Sequence, residues 1–275
     1  MESIKQIENP FPWQNKIRRW WLTIKINHVG EINTNTHGTK MKIVRYGSNE
    51  DIDIEFLDEF HYIKEHQAYS NFKSGGVKNP YDRDLYNVGY FGVGNYSSRD
   101  NGKMAFAYKT WTGMIERCYL NKKAFPAYYG KCEVCSEWHN YQNFAKWFEE
   151  NKYEVNERLH IDKDILFPNS KMYSPKTCLL VPQTINMMFM NKPNKRGLPN
   201  GIYKSRKGYL AEYNENKLGV YPTVELAYEV YASEKEKAIR QLADEYKNII
   251  PEKVYNALYA YRFDINNDKN YNKSA

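Results

Sequence analysis

Leu159-His-Ile-Asp-Lys-Asp-Ile-Leu166, a Pro168-Asn-Ser170 loop, and Tyr173-Ser-Pro-Lys-Thr-Cys-Leu-Leu-Val-Pro-Gln-Thr-Ile-Asn186 decide how the rest of this chain is read. An apolar run with acids embedded in it predicts a strand. The loop predicts a reversal, the second apolar run a second strand, and Pro182 the start of a helix. In such a strand His160 and Asp162 share one face and Lys163 falls on the other. Just upstream, Tyr108, Trp111, Ile115 and Cys118 recur at three-to-four spacing and predict a helix in the stretch from Lys103. Tyr141, Phe144, Trp147 and Phe148 predict another over 141–151. Both stripes are expected as core beneath the strand–loop–strand–helix segment, so 103–190 forms a central domain.

Towards the N-terminus, 21–26, 41–46 and 52–56 each alternate with period two. Asn33-Thr-Asn-Thr-His-Gly38 and Gly47-Ser-Asn-Glu-Asp51 separate them with strong turn compositions. They predict a small antiparallel β-barrel or meander inside a module covering 1–72. Residues 73–102 read as a connector rich in turns. Within it Gly92-Val-Gly-Asn95 lacks the G-x-G-x-x-G pattern and any βαβ context, so it is read as a turn and not as a phosphate loop.

Towards the C-terminus, Asn191-Lys-Pro-Asn-Lys-Arg-Gly-Leu-Pro-Asn200 has the composition of a linker. Three short strands and a helix from Thr223 to about Lys247 follow. Pro251 opens a last helix with Val254, Leu258 and Tyr261 on one face. Residues 201–265 make a third domain, and 266–275 read as a disordered tail. The fold class is therefore α+β: an N-terminal β module, a central ββα region with packing helices, and a C-terminal three-stranded sheet on a helix.

The chain has 275 residues, a net charge of +7 and 25 tyrosines. The positive balance points to a polyanionic partner, and tyrosine, with an apolar ring and a wet hydroxyl, suits a surface that meets nucleic acid. No stretch approaches the roughly 20 apolar residues of a membrane span. The N-terminal residues carry no apolar signal core, and four cysteines without a secretion signal imply reduced thiols. An intracellular, soluble protein with no membrane partner is expected.

Two resemblances sharpen this reading. Strand, loop, strand and helix is the layout of a one-metal nuclease finger. Asp162-Lys163, Tyr173-Ser-Pro-Lys-Thr-Cys178 and Gln183-Thr-Ile-Asn186 resemble the phage HNH endonuclease family, in which Leu-Asp-Arg/Lys precedes Tyr-Ser-Pro-Glu-Asn-Cys and Gln-x-x-Asn. Gly38-Thr-Lys-Met-Lys-Ile-Val44 and Ser70 to Pro80 resemble a lead-in module beside such proteins. Gly201-Ile, Tyr209-Leu-Ala-Glu212, Leu218-Gly-Val-Tyr221, Thr223, Glu225-Leu-Ala227 and Tyr231 resemble the apetala-two-type DNA-binding domain. Together they imply a phage-encoded protein in the cytoplasm of a bacterial host. They also imply a double-stranded DNA partner and, if the finger cuts, cleavage with Mg2+ or Mn2+. The alternative is a non-catalytic DNA-binding or protein-binding factor, a regulator or counter-defence protein that keeps the finger as a scaffold.

The site residues follow. A His base must activate water, and a metal held by Asp and Asn must stabilise the leaving oxygen. In one register His160-Ile-Asp162 supplies the base at His160; in the other Asp162-Lys163 matches the Leu-Asp-Arg variant and Lys163 stands where the base would be. Asp162 and Asn186 are the candidate metal ligands in the first. Thr177 departs from the family's Asn. For DNA, Lys204 and Arg206 share a side of the first C-terminal strand and Lys207 sits at its turn. Tyr209, Ala211 and Tyr213 share a side of the second, and Lys217 lies at the next turn; a ribbon of this kind fits the major groove. Ile202, Leu210 and Val220 are expected on the opposite side, against Leu226, Ala227, Val230 and Tyr231. Cys132-x-x-Cys135 has zinc-knuckle spacing, with Cys118, Cys178, His139 and His160 as further candidate ligands. Buried free thiols are the preferred expectation there. Arg18, Arg19, Trp20 and Trp21 read as a nucleic-acid surface or a docking face.

Overall fold

A computed structural model describes residues 27–271. The expected strand at 21–26 and the cluster Arg18, Arg19, Trp20 and Trp21 lie outside the described residues. The chain is α+β, with six α-helices and several antiparallel sheets among the described residues, and divides into two compact units meeting at Asp82 and Arg83.

The first unit is a four-stranded antiparallel meander: β1 (Ile32–Thr34), β2 (Lys40–Ser48), β3 (Asp51–Phe56) and β4 (Ile63–Gln67), in that spatial order. Met41 stands opposite Phe56 and Ile43 opposite Ile54, which puts the alternating apolar positions on one buried face. The sheet does not close into a barrel. Four short strands cannot supply the tilt and stagger that closure requires. The core is instead covered by the one-turn helix α1 (Tyr69–Lys73), through Phe72, and by Val77.

In the second unit the connector ends in a short hairpin, β5 (Arg99–Asp100) and β6 (Lys103–Met104). Gly92 and Gly94 lie so close to the Asn140 and Gln142 side chains that a Cβ would come within 2.1 and 2.5 Å of them. These glycines therefore serve packing at the start of a helix. The helices α2 (Phe106–Tyr119) and α3 (Tyr141–Asn151) form as the stripes predict, with Trp111, Ile115, Cys118, Phe144 and Phe148 buried. The parallel pair β7 (Glu133–Val134) and β9 (Met172–Tyr173) closes that core.

The deciding segment becomes an antiparallel ribbon, β8 (Leu159–Asp162) and β10 (Leu179–Pro182), followed by α4 (Gln183–Met188). All four residues of β10 are buried, because the ribbon separates two cores. Leu180 enters the α2–α3 core; Leu179 and Val181 enter a second with Ile185 of α4. Burial on both faces is why this strand reads as an unbroken apolar run.

The C-terminal sheet is β11 (Ile202–Ser205), β12 (Gly208–Tyr213) and β13 (Asn216–Tyr221), packed on α5 (Val224–Glu245), whose start is capped by the Thr223 hydroxyl. The last helix is α6 (Glu252–Ala260). Helix α5 serves two cores. Ala227, Tyr231 and Ala232 pack on the sheet, whereas Ile239 and Ala243 join Val181, Ile185, Val254 and Leu258. The 191–200 segment is not a free linker and 266–271 is not a disordered tail. Asn200 N donates to Asp268 Oδ2 at 3.0 Å, Asn194 N to Asn270 Oδ1 at 2.7 Å and the Asn191 amide to Asn267 O at 3.0 Å. Composition alone reads Asn and Asp as solvated; here they bond one another.

Candidate functional site

The end of β8 is shaped by Asp162. Its Oδ1 accepts from the amides of Asp164 at 2.8 Å and Ile165 at 2.7 Å, turning the chain sharply out of the strand. No hydrogen bond from a described residue falls on its Oδ2. Burial pushes this carboxyl up to about 6, against the pull of the two amides.

His160 stands across from Val181. Its Nε2 is sealed from solvent without a hydrogen-bond partner. Burial and the nearby Arg158 lower its pKa while the Gln183 side chain draws it back, so the ring is neutral near pH 7. Asn186 sits in the short helix α4, and its side-chain amide has no hydrogen-bond partner among the described residues. The helix start is tied down by Glu157, which accepts from the Thr184 amide at 2.8 Å and its hydroxyl at 2.9 Å.

His160, Asp162 and Asn186 line one cleft of about 440 Å³. The structure thus brings together the three residues that sequence reasoning singled out. It also supplies a basic wall that sequence reasoning missed: Lys109 and Arg117 from α2, and Arg158 from just before β8. The signal was present as a polar stripe at four-residue spacing, Lys109, Gly113 and Arg117, on the side of α2 away from its apolar stripe.

The other register fares differently. The Lys163 ammonium is buried, paired with Asp164 at 2.8 Å and donating to Ser170 O at 2.5 Å. Asp164 raises its pKa against the opposing effect of burial, so it stays protonated and does not accept a proton. Thr177 is used within its own turn, its hydroxyl donating to Met172 O at 2.7 Å and accepting from the Ser174 amide at 3.1 Å.

The four cysteines are free thiols. Among the described residues, no three of them, with or without His139 or His160, bring ligating atoms within 4.8 Å of one another. Burial pushes the Cys118 and Cys178 thiols up to about 12, opposite to what a thiolate ligand needs. His139 is engaged with Val134 O at 3.0 Å. The one such grouping among the described residues is Asp51, Asp53 and His66 in the first unit. There the Arg45 guanidinium already pairs with both carboxylates, so their charge is met by the protein itself.

The C-terminal sheet corrects the expected faces. Ile202 pairs with Ala211 and Lys204 with Tyr209, so Ile202, Tyr209, Ala211 and Tyr213 belong to the face on α5, and Lys204, expected on the opposite face from Ile202, shares its side at an exposed position. Leu210 pairs with Tyr203 and Val220, on the face away from the helix, and Val220 is exposed. Leu226, expected beneath the sheet, is exposed too. Tyr209 and Tyr213 are therefore packing residues. Lys204, Arg206, Lys207 and Lys217 remain exposed, the middle two at the β11–β12 turn.

No protein-family model, curated protein or solved structure matches the chain, and no helix among the described residues is long and apolar enough to cross a membrane.

Proposed function

We propose that the protein is a DNA-binding protein of phage or mobile-element type whose central cleft is an HNH-like, metal-dependent endonuclease site of the homing type. One observation carries the reading: His160, Asp162 and Asn186 line one cleft with a basic wall. Asp162 Oδ2 and the Asn186 side-chain amide have no hydrogen-bond partner among the described residues, while Asp162 Oδ1 serves the turn and the Gln183 side chain engages the His160 ring. Asp162 Oδ2 and the Asn186 amide oxygen would hold Mg2+ or Mn2+, hard cations that favour oxygen ligands. Bound there, the cation would stabilise charge on the leaving oxygen. His160, neutral, would take a proton from water. The exposed cations at the turns of the C-terminal sheet, Arg206, Lys207 and Lys217, supply docking to double-stranded DNA, with Lys204 exposed on the helix side of the first strand.

The rival reading is a DNA-binding or protein-binding factor that keeps the ribbon and α4 as a scaffold. It is favoured by Asp162 Oδ1, which is given to the turn and so assigns this residue a structural task regardless of metal.

Plasmid DNA incubated with Mg2+, with Mn2+ and with chelator separates the two. Nicking that needs metal and is lost in His160→Ala, with DNA affinity retained, is the expected result. Retarded but intact plasmid under every condition removes the nuclease reading and leaves a DNA binder; cutting undiminished in His160→Ala removes His160 from the reaction.

A further inference from the structure

Helix α2 is amphipathic. Ala107, Trp111, Met114, Ile115 and Cys118 are buried on one side; Lys109, Gly113, Glu116 and Arg117 line the cleft on the other. Gly113 lies in the middle of this 14-residue helix. Glycine there costs about 1 kcal/mol relative to alanine, so a helix interior keeps it mostly where something crowds the backbone. Nothing among the described residues does so. A Cβ on Gly113 would meet only Arg117 Nη1, at 3.8 Å, whereas the packing glycines at 92 and 94 have neighbours within 2.5 Å. The missing side chain therefore leaves room on the cleft side.

The cations around that room are held in place without being neutralised. The Arg117 guanidinium lies 5.9 Å from the Tyr128 ring centre and 5.7 Å from that of Tyr173. Arg158 lies 5.5 Å from the Phe106 ring centre. Aromatic faces orient a guanidinium while leaving N–H groups for an anion, and the Tyr173 side chain engages only part of the Arg117 fork. Neither arginine forms an ion pair with a described residue. Glu116 is the one carboxylate on the helical stripe, set against Lys109 and Arg117 on that stripe and Arg158 in the same lining.

We propose that the Lys109–Gly113–Arg117 stripe, with Arg158, seats the sugar-phosphate backbone of duplex DNA in the cleft, Gly113 letting the strand lie directly against the helix. This rests on the DNA reading above and adds a second docking surface, distinct from the C-terminal sheet. Arg117 and Arg158 are positioning residues: each engages a phosphate oxygen and sets where the scissile bond lies relative to His160.

The test is duplex binding by fluorescence anisotropy in chelator across a salt series, which does not depend on cutting. The unaltered protein is compared with Arg117→Gln/Arg158→Gln, with Gly113→Leu, and with Arg206→Gln/Lys217→Gln in the sheet. Each phosphate contact contributes about 0.9 to the slope of log affinity against log salt, so the double arginine variant is expected to lose nearly 2 of slope. Gly113→Leu is expected to weaken binding about tenfold with the slope kept, while its melting temperature holds or rises because leucine is the better helix former. That opposition of stability and binding distinguishes an occupied cleft from a damaged fold. If both cleft variants bind as the unaltered protein does while the sheet variant loses binding, the inference fails and the DNA reading stands. If the unaltered protein binds no duplex at any salt, both fail.

Discussion

Ile202 stands directly opposite Ala211 across the first hairpin of the C-terminal sheet, and both side chains are fully buried against α5. That single pairing fixes the direction of the other residues along β11 and β12. It turns Tyr213 towards Tyr231, their rings 6.0 Å apart and edge to face. Tyr213→Ala is therefore expected to destabilise the fold by about 2 kcal/mol, a half-buried aromatic truncation, and to leave the affinity of the folded protein for DNA unchanged. Lys217→Gln should do the opposite, reducing the salt slope by about 1 with no change in the denaturant midpoint. Urea unfolding and anisotropy on both variants check the pair of outcomes.

Asp162 gives the chain a pH signature. Its carboxyl lies near 6 when folded against an ordinary 3.8, so the folded state holds its proton more tightly than the unfolded state. Stability from this group is full below about pH 3.8 and is lost as pH rises through about 6. At about 1.4 kcal/mol per pH unit the loss approaches 3 kcal/mol. Asp162→Asn keeps the Oδ1 acceptor for the turn and removes the charge. It should match the unaltered protein at pH 3 and exceed it at pH 8, by urea unfolding at both. A variant less stable at pH 8 would show that the ionised carboxylate is held by something other than the turn.

Lys163 is expected to matter for folding. Its ammonium is buried while its partner Asp164 is partly solvated, so Lys163→Met should cost about 2 kcal/mol, below the roughly 3–5 kcal/mol of a fully buried broken pair. The loop through Ser170 should become the first site of proteolysis. Full stability with loss of cutting in this variant would instead restore Lys163 as the base.

Zinc should be dispensable. With no three thiol or imidazole ligands gathered among Cys118, Cys132, Cys135, Cys178 and His139, a strong chelator is expected to leave the melting temperature unchanged. A drop of several degrees, reversed by zinc alone, would overturn this.

The elements that announced themselves were those with one clear periodicity. Tyr141 to Asn151 formed a helix at the expected residues, and Leu159 and Leu179 begin strands where apolar runs predicted them. Residues brought together by strand pairing were half legible: His160, Asp162 and Asn186 meet in one cleft because a short ribbon leads straight into a helix. The sheet faces were not. Leu210 and Val220 look more apolar than Ala211 and Gly219, yet small residues are what a close helix admits, and register rather than hydrophobicity decided the side. The barrel failed for a related reason, since alternation reports that a strand has one buried face and does not report what covers it. Asn191 to Asn200 and Asn266 to Tyr271 were opaque because polar side chains that satisfy one another have the same composition as those that satisfy water.

Helix α5 passes from the sheet to the ribbon without a break. From Ala232, packed beneath the sheet, to Ile239, packed beneath the ribbon, it advances about 10 Å, and each residue turns it by about 100°. Such a rod works as a ruler. A duplex held at the sheet would meet the cleft at one fixed phase of its own helical turn. The offset between the sequence gripped and the bond approached would then be a number of base pairs set by protein geometry. Adding one residue to the rod would shift that phase and not merely loosen it.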